Sequence, residues 1–188
     1  MFPRYATCVA EPAITACDPN FIYYDYDPTR TGTVGSAIPF AEYVNISGTG
    51  EPLLSPATPE IVKSYADLGA YVELTTNGTL AEKLRDVAPS LSAIHLSMDG
   101  AEKKTFETIR FGAEFEKICA AIQSLPKDSV RKVNINCVVS RPNSLEAAKL
   151  VQLGLDLGVG SVTFQEFSAY LPWHDEMRLR PQDRRAFF

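Results

Sequence analysis

Three short turns carry most of the groups that could do chemistry. Ser47-Gly-Thr-Gly-Glu-Pro52 sets two glycines beside a carboxylate, and Thr75-Thr-Asn-Gly-Thr79 gathers hydroxyls and a carboxamide around an Asn-Gly pair. Ser97-Met-Asp-Gly100 ends on a second carboxylate. Each turn follows a short alternating run, and α/β proteins place their ligand sites at the carboxyl ends of strands. Gly48 and Gly50 allow close approach of a ligand to the backbone, Glu51 supplies an anion, and Asp99 can accept hydrogen bonds from ribose hydroxyls. Gly, Asn and Asp also favour ordinary turns. What points to a ligand is their recurrence, in order, after successive strands.

The four cysteines are Cys8, Cys17, Cys119 and Cys137, with no C-x-x-C pair among them. That is too few for a secreted disulfide scaffold and, as a bare count, unpromising for a thiolate metal site. Cys119 lies in a helical pattern beside Ile118 and Ile122, and Cys137 on the apolar face of a strand pattern, so both read as buried structural thiols. Cys8 fits no ligand spacing. Of the two histidines, His95 sits on a polar strand face and can serve a ligand or a structural hydrogen bond, and His174 reads as a solvated loop residue. Arg178, Arg180, Arg184 and Arg185 read as the charged face of a last helix.

The elements that must position these groups are legible from periodicity. Runs at 43–47, 71–75, 93–97, 132–139 and 161–167 alternate with period two. A first strand is expected at 13–16. Thr58 and Pro59 predict a helix start and Gly69 its end, with Ile61, Val62, Tyr65 and Leu68 on one face. A helix is expected from Leu80 to Val87. Phe115, Ile118, Ile122 and Leu125 form the stripe of a helix stopped by Pro126. Leu145, Ala148, Val151 and Leu155 do so for a helix over 144–157, closed by Gly158.

Strands alternating with helices predict a parallel sheet with right-handed crossovers, six β/α units in all. One strand face carries Val44, Ile46, Val72, Leu74, Ile94, Leu96, Val133, Ile135, Val162 and Phe164. The other carries Asn45, Ser47, Glu73, Thr75, His95, Ser97, Asn134, Asn136, Thr163 and Gln165. A closed barrel fills its interior with branched apolar side chains, and a doubly wound sheet is apolar on both faces. The expected fold is therefore α/β, an open partial (β/α)6 TIM-like barrel whose inner face holds a polar ligand.

Composition sets the outer bounds. The chain has 188 residues, 45% hydrophobic and 22% charged, with a net charge of -5. That favours one folded domain over 1–188, with 1–12 as an N-terminal extension, and argues against disorder. Its acidic balance argues against nucleic-acid binding, and no run approaches the about 20 apolar residues of a membrane helix. Met1-Phe2-Pro3-Arg4-Tyr5 shows no secretory signal, so a cytoplasmic setting is expected. Phe187 and Phe188 fall inside the last helical pattern, so further sequence is expected beyond them.

The ordered motifs resemble the core domain of the radical S-adenosylmethionine (radical SAM) superfamily, nearest its peptide- and protein-modifying branch. Gly-Thr-Gly-Glu-Pro-Leu-Leu (48–54) is similar to that family's GGEPLL segment. Leu-Thr-Thr-Asn-Gly-Thr-Leu (74–80) resembles the end of its third strand and His-Leu-Ser-Met-Asp-Gly (95–100) the end of its fourth. Residues 137–143 and 157–164 resemble the end of the fifth strand and the approach to the sixth. The resemblance covers about residues 13–188 and implies a six-unit partial barrel. It implies that the backbone at Gly48, Thr49 and Gly50, beside Glu51, binds the amino group of S-adenosylmethionine. Ser97 and Asp99 would face its ribose or carboxylate, with Asn136 in the same cavity and Thr76 and Asn77 as weaker candidates. It also implies a [4Fe-4S] cluster, a 5′-deoxyadenosyl radical, a peptide or small-molecule substrate and a flavodoxin- or ferredoxin-like reductase.

The family's cluster loop, C-x-x-x-C-x-x-C, is where this sequence departs. Cys17 matches the first ligand position, but Phe21 and Tyr24 stand at the other two. Phe has no donor atom, and a Tyr phenolate is a poor substitute for a soft thiolate. Residues 25–42, where a helix is expected, contain Pro28, Gly32, Gly35 and Pro39 and no helical stripe. Two explanations fit: a degenerate homologue that has lost its cluster and binds S-adenosylmethionine or a related nucleotide without it, or a frameshift or gene-model error across codons 18–42. A barrel enzyme using Glu51 and Asp99 as acid and base has little support, because no paired-carboxylate spacing is evident.

Overall fold

The computed structural model describes residues 5–8, 22–24, 41–47, 50–168 and 172–187. Cys17, Phe21, Gly48 and Thr49 lie outside the described residues, as do the strand expected at 13–16 and most of 25–42.

The described strands are β1 (Tyr5–Cys8), β2 (Ile22–Tyr24), β3 (Tyr43–Ile46), β4 (Tyr71–Thr76), β5 (Ala93–Ser97), β6 (Val133–Val139) and β7 (Ser161–Glu166). The chain forms two compact units, 1–95 and 96–188, and the division falls inside β5. In the first unit the order is β2-β1-β3-β4-β5, with β1–β2, β1–β3 and β3–β4 all parallel. In the second unit β6 pairs in parallel with β7.

The strand beside β3 is thus Tyr5–Cys8, inside the stretch expected to be an extension. Its register sets Cys8 opposite Ile46 on one side and opposite Tyr24 on the other. β2 is an edge strand that no sequence pattern announced.

The helices of the first unit are α1 (Thr58–Asp67) and α2 (Leu84–Val87). Those of the second are α3 (Lys103–Ile109), α4 (Phe115–Gln123), α5 (Lys127–Val130), α6 (Ala147–Leu157) and α7 (Pro181–Phe187). Neither α3 nor α5 was expected; both are too short for a periodic stripe to stand out. The helix expected over 80–87 is in fact α2 between two 3-10 turns, the second carrying Pro89. No helix among the described residues is long and apolar enough to cross a membrane.

Helix ends follow local chemistry. α1 is capped by Ala57 rather than Thr58, whose hydroxyl instead donates to the Pro52 carbonyl at 2.6 Å. Past the end of α1, Gly69 takes φ +81, which only glycine adopts without strain. α6 begins at Ala147, later than its sequence pattern suggested, and buries Leu150, Gly154 and Leu157. The expected stripe fails there: Leu145 is 76% exposed and Leu155 69%. The reason is close packing at Gly154, where an added Cβ would sit 2.6 Å from Val162 Cγ2, so the helix turns its small-residue face to β7.

The alternation of the strands survives as burial. Val44, Ile46, Val72, Leu74, Ile94, Leu96, Val133 and Ile135 are buried, while Tyr43, Asn45, His95, Ser97, Asn134 and Asn136 on the opposite face are half-buried. β7 is the exception, with Val162 and Phe164 only half-buried.

Candidate functional site

In the first unit, the Gly50–Leu54 turn is built by Glu51. Its Oε1 accepts from the Leu53 amide at 3.1 Å and from the Thr76 hydroxyl at 2.8 Å, and its Oε2 from the Asn77 amide at 2.7 Å. Carboxylate bonds to backbone N–H are charge-assisted and hold their geometry well. Thr76 also accepts from the Gly78 amide at 3.1 Å, and Asn77 Oδ1 accepts from the Thr79 amide and hydroxyl. The two turns at the ends of β3 and β4 are therefore one hydrogen-bonded assembly. Glu51 and Thr76 are buried and spend their polar atoms on it, while Gly50 has nothing within 4 Å of a would-be Cβ.

In the second unit, Asp99 plays the corresponding part. Its Oδ1 accepts from the Val138 amide at 2.6 Å, and its Oδ2 lies 2.8 Å from Arg110 Nη2. Asn143 closes the arrangement: Nδ2 donates to the carbonyls of Asp99 at 2.9 Å and Val138 at 3.0 Å, and Oδ1 accepts from the Ser140 amide at 2.7 Å. The Met98 amide donates to the Asn136 carbonyl at 2.9 Å. Gly100 admits α3 to this turn, since a Cβ there would lie 2.7 Å from the Phe106 nitrogen. Asp99 was expected to face a ribose or carboxylate directly, yet both its oxygens are engaged within the protein. Ser97 and Asn136 stay half-buried on the polar face.

Sequence reasoning missed Arg110. It caps the carboxyl end of α3 and is held by Asp99, and its Nε is buried with no hydrogen-bond partner. The available signal was an Arg closing the first helix after the Ser97–Gly100 turn. Glu146 was missed too; it accepts from the Ala101 amide at 2.8 Å and from the Thr105 hydroxyl, fixing the start of α3.

The cluster ligands do not fit. Of Cys17, Phe21 and Tyr24, only Tyr24 is described, as a backbone partner of Cys8 in β2. A cluster needs three protein thiolates, and the 17–24 segment supplies one. Burial, then the nearby Asp99 charge, push the Cys137 thiol up to about 12. Burial likewise raises Cys119, on α4. Among the described residues no three His, Cys, Asp or Glu side chains gather as a metal site. His174, expected in a loop, lies in a 3-10 turn with its ring edge-on to Phe167 at 5.7 Å.

Comparison with known proteins agrees with the motifs. The AdoMet-dependent heme synthase of Methanosarcina barkeri is 37% identical over 58% of this chain and 32% of its own length. A probable GTP 3′,8-cyclase of Saccharolobus solfataricus is 34% identical over 63% of this chain and 39% of its own. The chain thus spans about a third to two fifths of these relatives. Among solved structures, Streptococcus suis SuiB superposes with TM-score 0.68 at 15% identity, covering 98% of this chain and 45% of that one. The anSMEcpe structure with bound AdoMet gives 0.64 at 21% identity, covering 98% and 56%. The fold is the α/β partial barrel of those structures. Residues 37–153 match the Radical SAM superfamily, and the chain belongs to that superfamily.

Proposed function

We propose that this chain binds S-adenosylmethionine on the polar ends of its strands and, with the ligand set it carries, does not hold the family's [4Fe-4S] cluster. The observation that carries the reading is Arg110. A guanidinium fixed by a buried carboxylate and itself partly exposed fits an anionic group such as the methionine carboxylate. Ser97 is a further candidate contact from the polar face of β5, and Asp99 acts by positioning Arg110 and the end of β6. In the first unit, Gly48, Thr49 and Gly50 correspond in sequence to the family's amino-group segment, with Glu51, Thr76 and Asn77 as further candidates. In the second unit, Asn136 is a further candidate on the polar face of β6. The SuiB and anSMEcpe structures include forms with bound S-adenosylmethionine or AdoMet, which supports this assignment.

The second reading is a radical SAM enzyme, favoured by the intact turns after β3, β4 and β5. In this family the cofactor pair supplies radical chemistry, and the protein supplies binding, orientation and exclusion of water. Such an enzyme would work in a reducing cytoplasm, with a flavodoxin- or ferredoxin-like reductase and a peptide or small-molecule substrate. SuiB bound to its precursor peptide SuiA makes a peptide the better-supported class. The domain would run over 1–188 as one core. Anaerobic reconstitution with iron and sulfide separates the readings. The first predicts less than one cluster's iron and no 5′-deoxyadenosine under reduction; stoichiometric iron with 5′-deoxyadenosine would establish the second.

A further inference from the structure

The polar face of β3, β4 and β5 in the first unit carries a second constellation, which the S-adenosylmethionine assignment leaves unused. Register sets Tyr43 opposite Tyr71 and Asn45 opposite Glu73. The two tyrosine rings stack, with centroids 5.5 Å apart and planes 4° from parallel. Glu73 is buried; its Oε1 accepts from Asn45 Nδ2, and its Oε2 lies 3.2 Å from His95 Nε2. Tyr43 hydrogen-bonds to the same carboxylate. Burial, and then that carboxylate, push its hydroxyl up to about 12, so it stays a neutral donor.

Two features of this face are unfinished. Asn45 Oδ1 is a buried acceptor with no hydrogen-bond partner. Glu73 has no Lys or Arg ion partner among the described residues; its ring partner there is His95, with Nε2 3.2 Å from Oε2. A buried carboxylate is costly without a counter-charge, and a buried acceptor is costly without a donor. The neighbouring tyrosine faces attract cations. Tyr71 is 47% exposed and Tyr43, Asn45 and His95 half-buried, so the face is open to a ligand.

We propose that Tyr43, Asn45, Tyr71, Glu73 and His95 form a subsite for a primary ammonium group. The ammonium donates to Glu73, whose carboxylate Asn45 holds in place, and packs beside the tyrosine pair. The subsite is separate from the residues assigned to S-adenosylmethionine.

The test is an NMR titration at pH 8 with n-pentylammonium, with 1-pentanol as the neutral control of similar shape. Pentylammonium should shift the His95 and Tyr43 ring signals saturably, and pentanol should bind at least tenfold more weakly. Glu73→Gln, checked for an unchanged fold by circular dichroism, should weaken the amine about tenfold. If Glu73→Gln does not fold, the wild-type contrast between amine and alcohol decides alone. Equal binding of the two probes, or no shift of His95 and Tyr43, would overturn the proposal. Saturating S-adenosylmethionine should leave the amine shifts in place; its displacing the amine would overturn the separateness of the subsite. A failure of S-adenosylmethionine to bind leaves the amine titration intact, so the two readings fail independently.

Discussion

The Glu51 carboxylate accepts a hydrogen bond from the Asn77 backbone amide at 2.7 Å, across 26 residues of chain. Through this bond and the one from Thr76, the turn after β3 is shaped by the turn after β4. A family motif that reads in sequence as two separate stretches is here one hydrogen-bonded unit.

That unit makes a stability prediction. Glu51→Ala leaves the Leu53 and Asn77 amides and the Thr76 hydroxyl without their acceptor in a buried place. Each such group costs about 1–3 kcal/mol, so urea unfolding should show a loss of about 3 kcal/mol or more. Glu51→Gln should lose less, because it keeps an acceptor oxygen.

Asp99 yields a sharper contrast. Asp99→Ala strips Arg110 of its counter-ion and the Val138 amide of its acceptor, for an expected loss of about 3–5 kcal/mol. In the variant Asp99→Ala with Arg110→Met, the loss should shrink, because no unpaired cation stays buried. Chemical denaturation of the two single variants and the double variant measures the coupling.

Gly100→Ala tests close approach rather than charge. Its Cβ would meet the Phe106 backbone nitrogen at 2.7 Å, and backbone cannot swing aside as a side-chain tip can. Thermal unfolding should show a loss of about 2 kcal/mol. Gly50→Ala, with open space around it, should change stability far less.

Alkaline pH should weaken the fold. Cys137 and Tyr43 each titrate near 12 in the folded chain, above their ordinary values of 9.0 and 10.0. The folded state therefore holds protons that the unfolded state releases first. The stability these groups give is complete below about pH 9 and is lost as pH rises toward 12, by up to about 1.4 kcal/mol per unit for the buried Cys137 and by less for the more exposed Tyr43. Urea midpoints from pH 8 upward should fall, and Cys137→Ala should flatten the slope. An unchanged slope would show that Cys137 does not contribute.

Much of this was legible because strands with one buried face write a period of two. Val44, Ile46, Ile94 and Leu96 sit where alternation set them, and the polar partners Asn45 and His95 share the other face. The turn motifs at 48–54, 74–80 and 97–100 located strand ends. What they could not show is which polar atoms the protein consumes itself. Asp99 looks like a ligand contact in sequence; in the structure its oxygens also meet Arg110 and the Val138 amide, partners 11 and 39 residues away that no local pattern could reveal. α6 misled for a related reason. Leu145, Val151 and Leu155 make the more apolar stripe, yet Gly154 allows the closer contact with β7 and decides the buried face. The short strand Tyr5–Cys8 has too few residues to announce itself, and pairing with β3 defines it.

Binding of S-adenosylmethionine without the cluster can be measured in solution. The most direct test is calorimetric titration of metal-free protein with S-adenosylmethionine, run for the wild type, Ser97→Ala and Arg110→Leu. One saturable site is predicted in the wild type, about tenfold weaker in each variant. No heat and no thermal shift in the folded wild type, or full affinity in Arg110→Leu, would contradict the account.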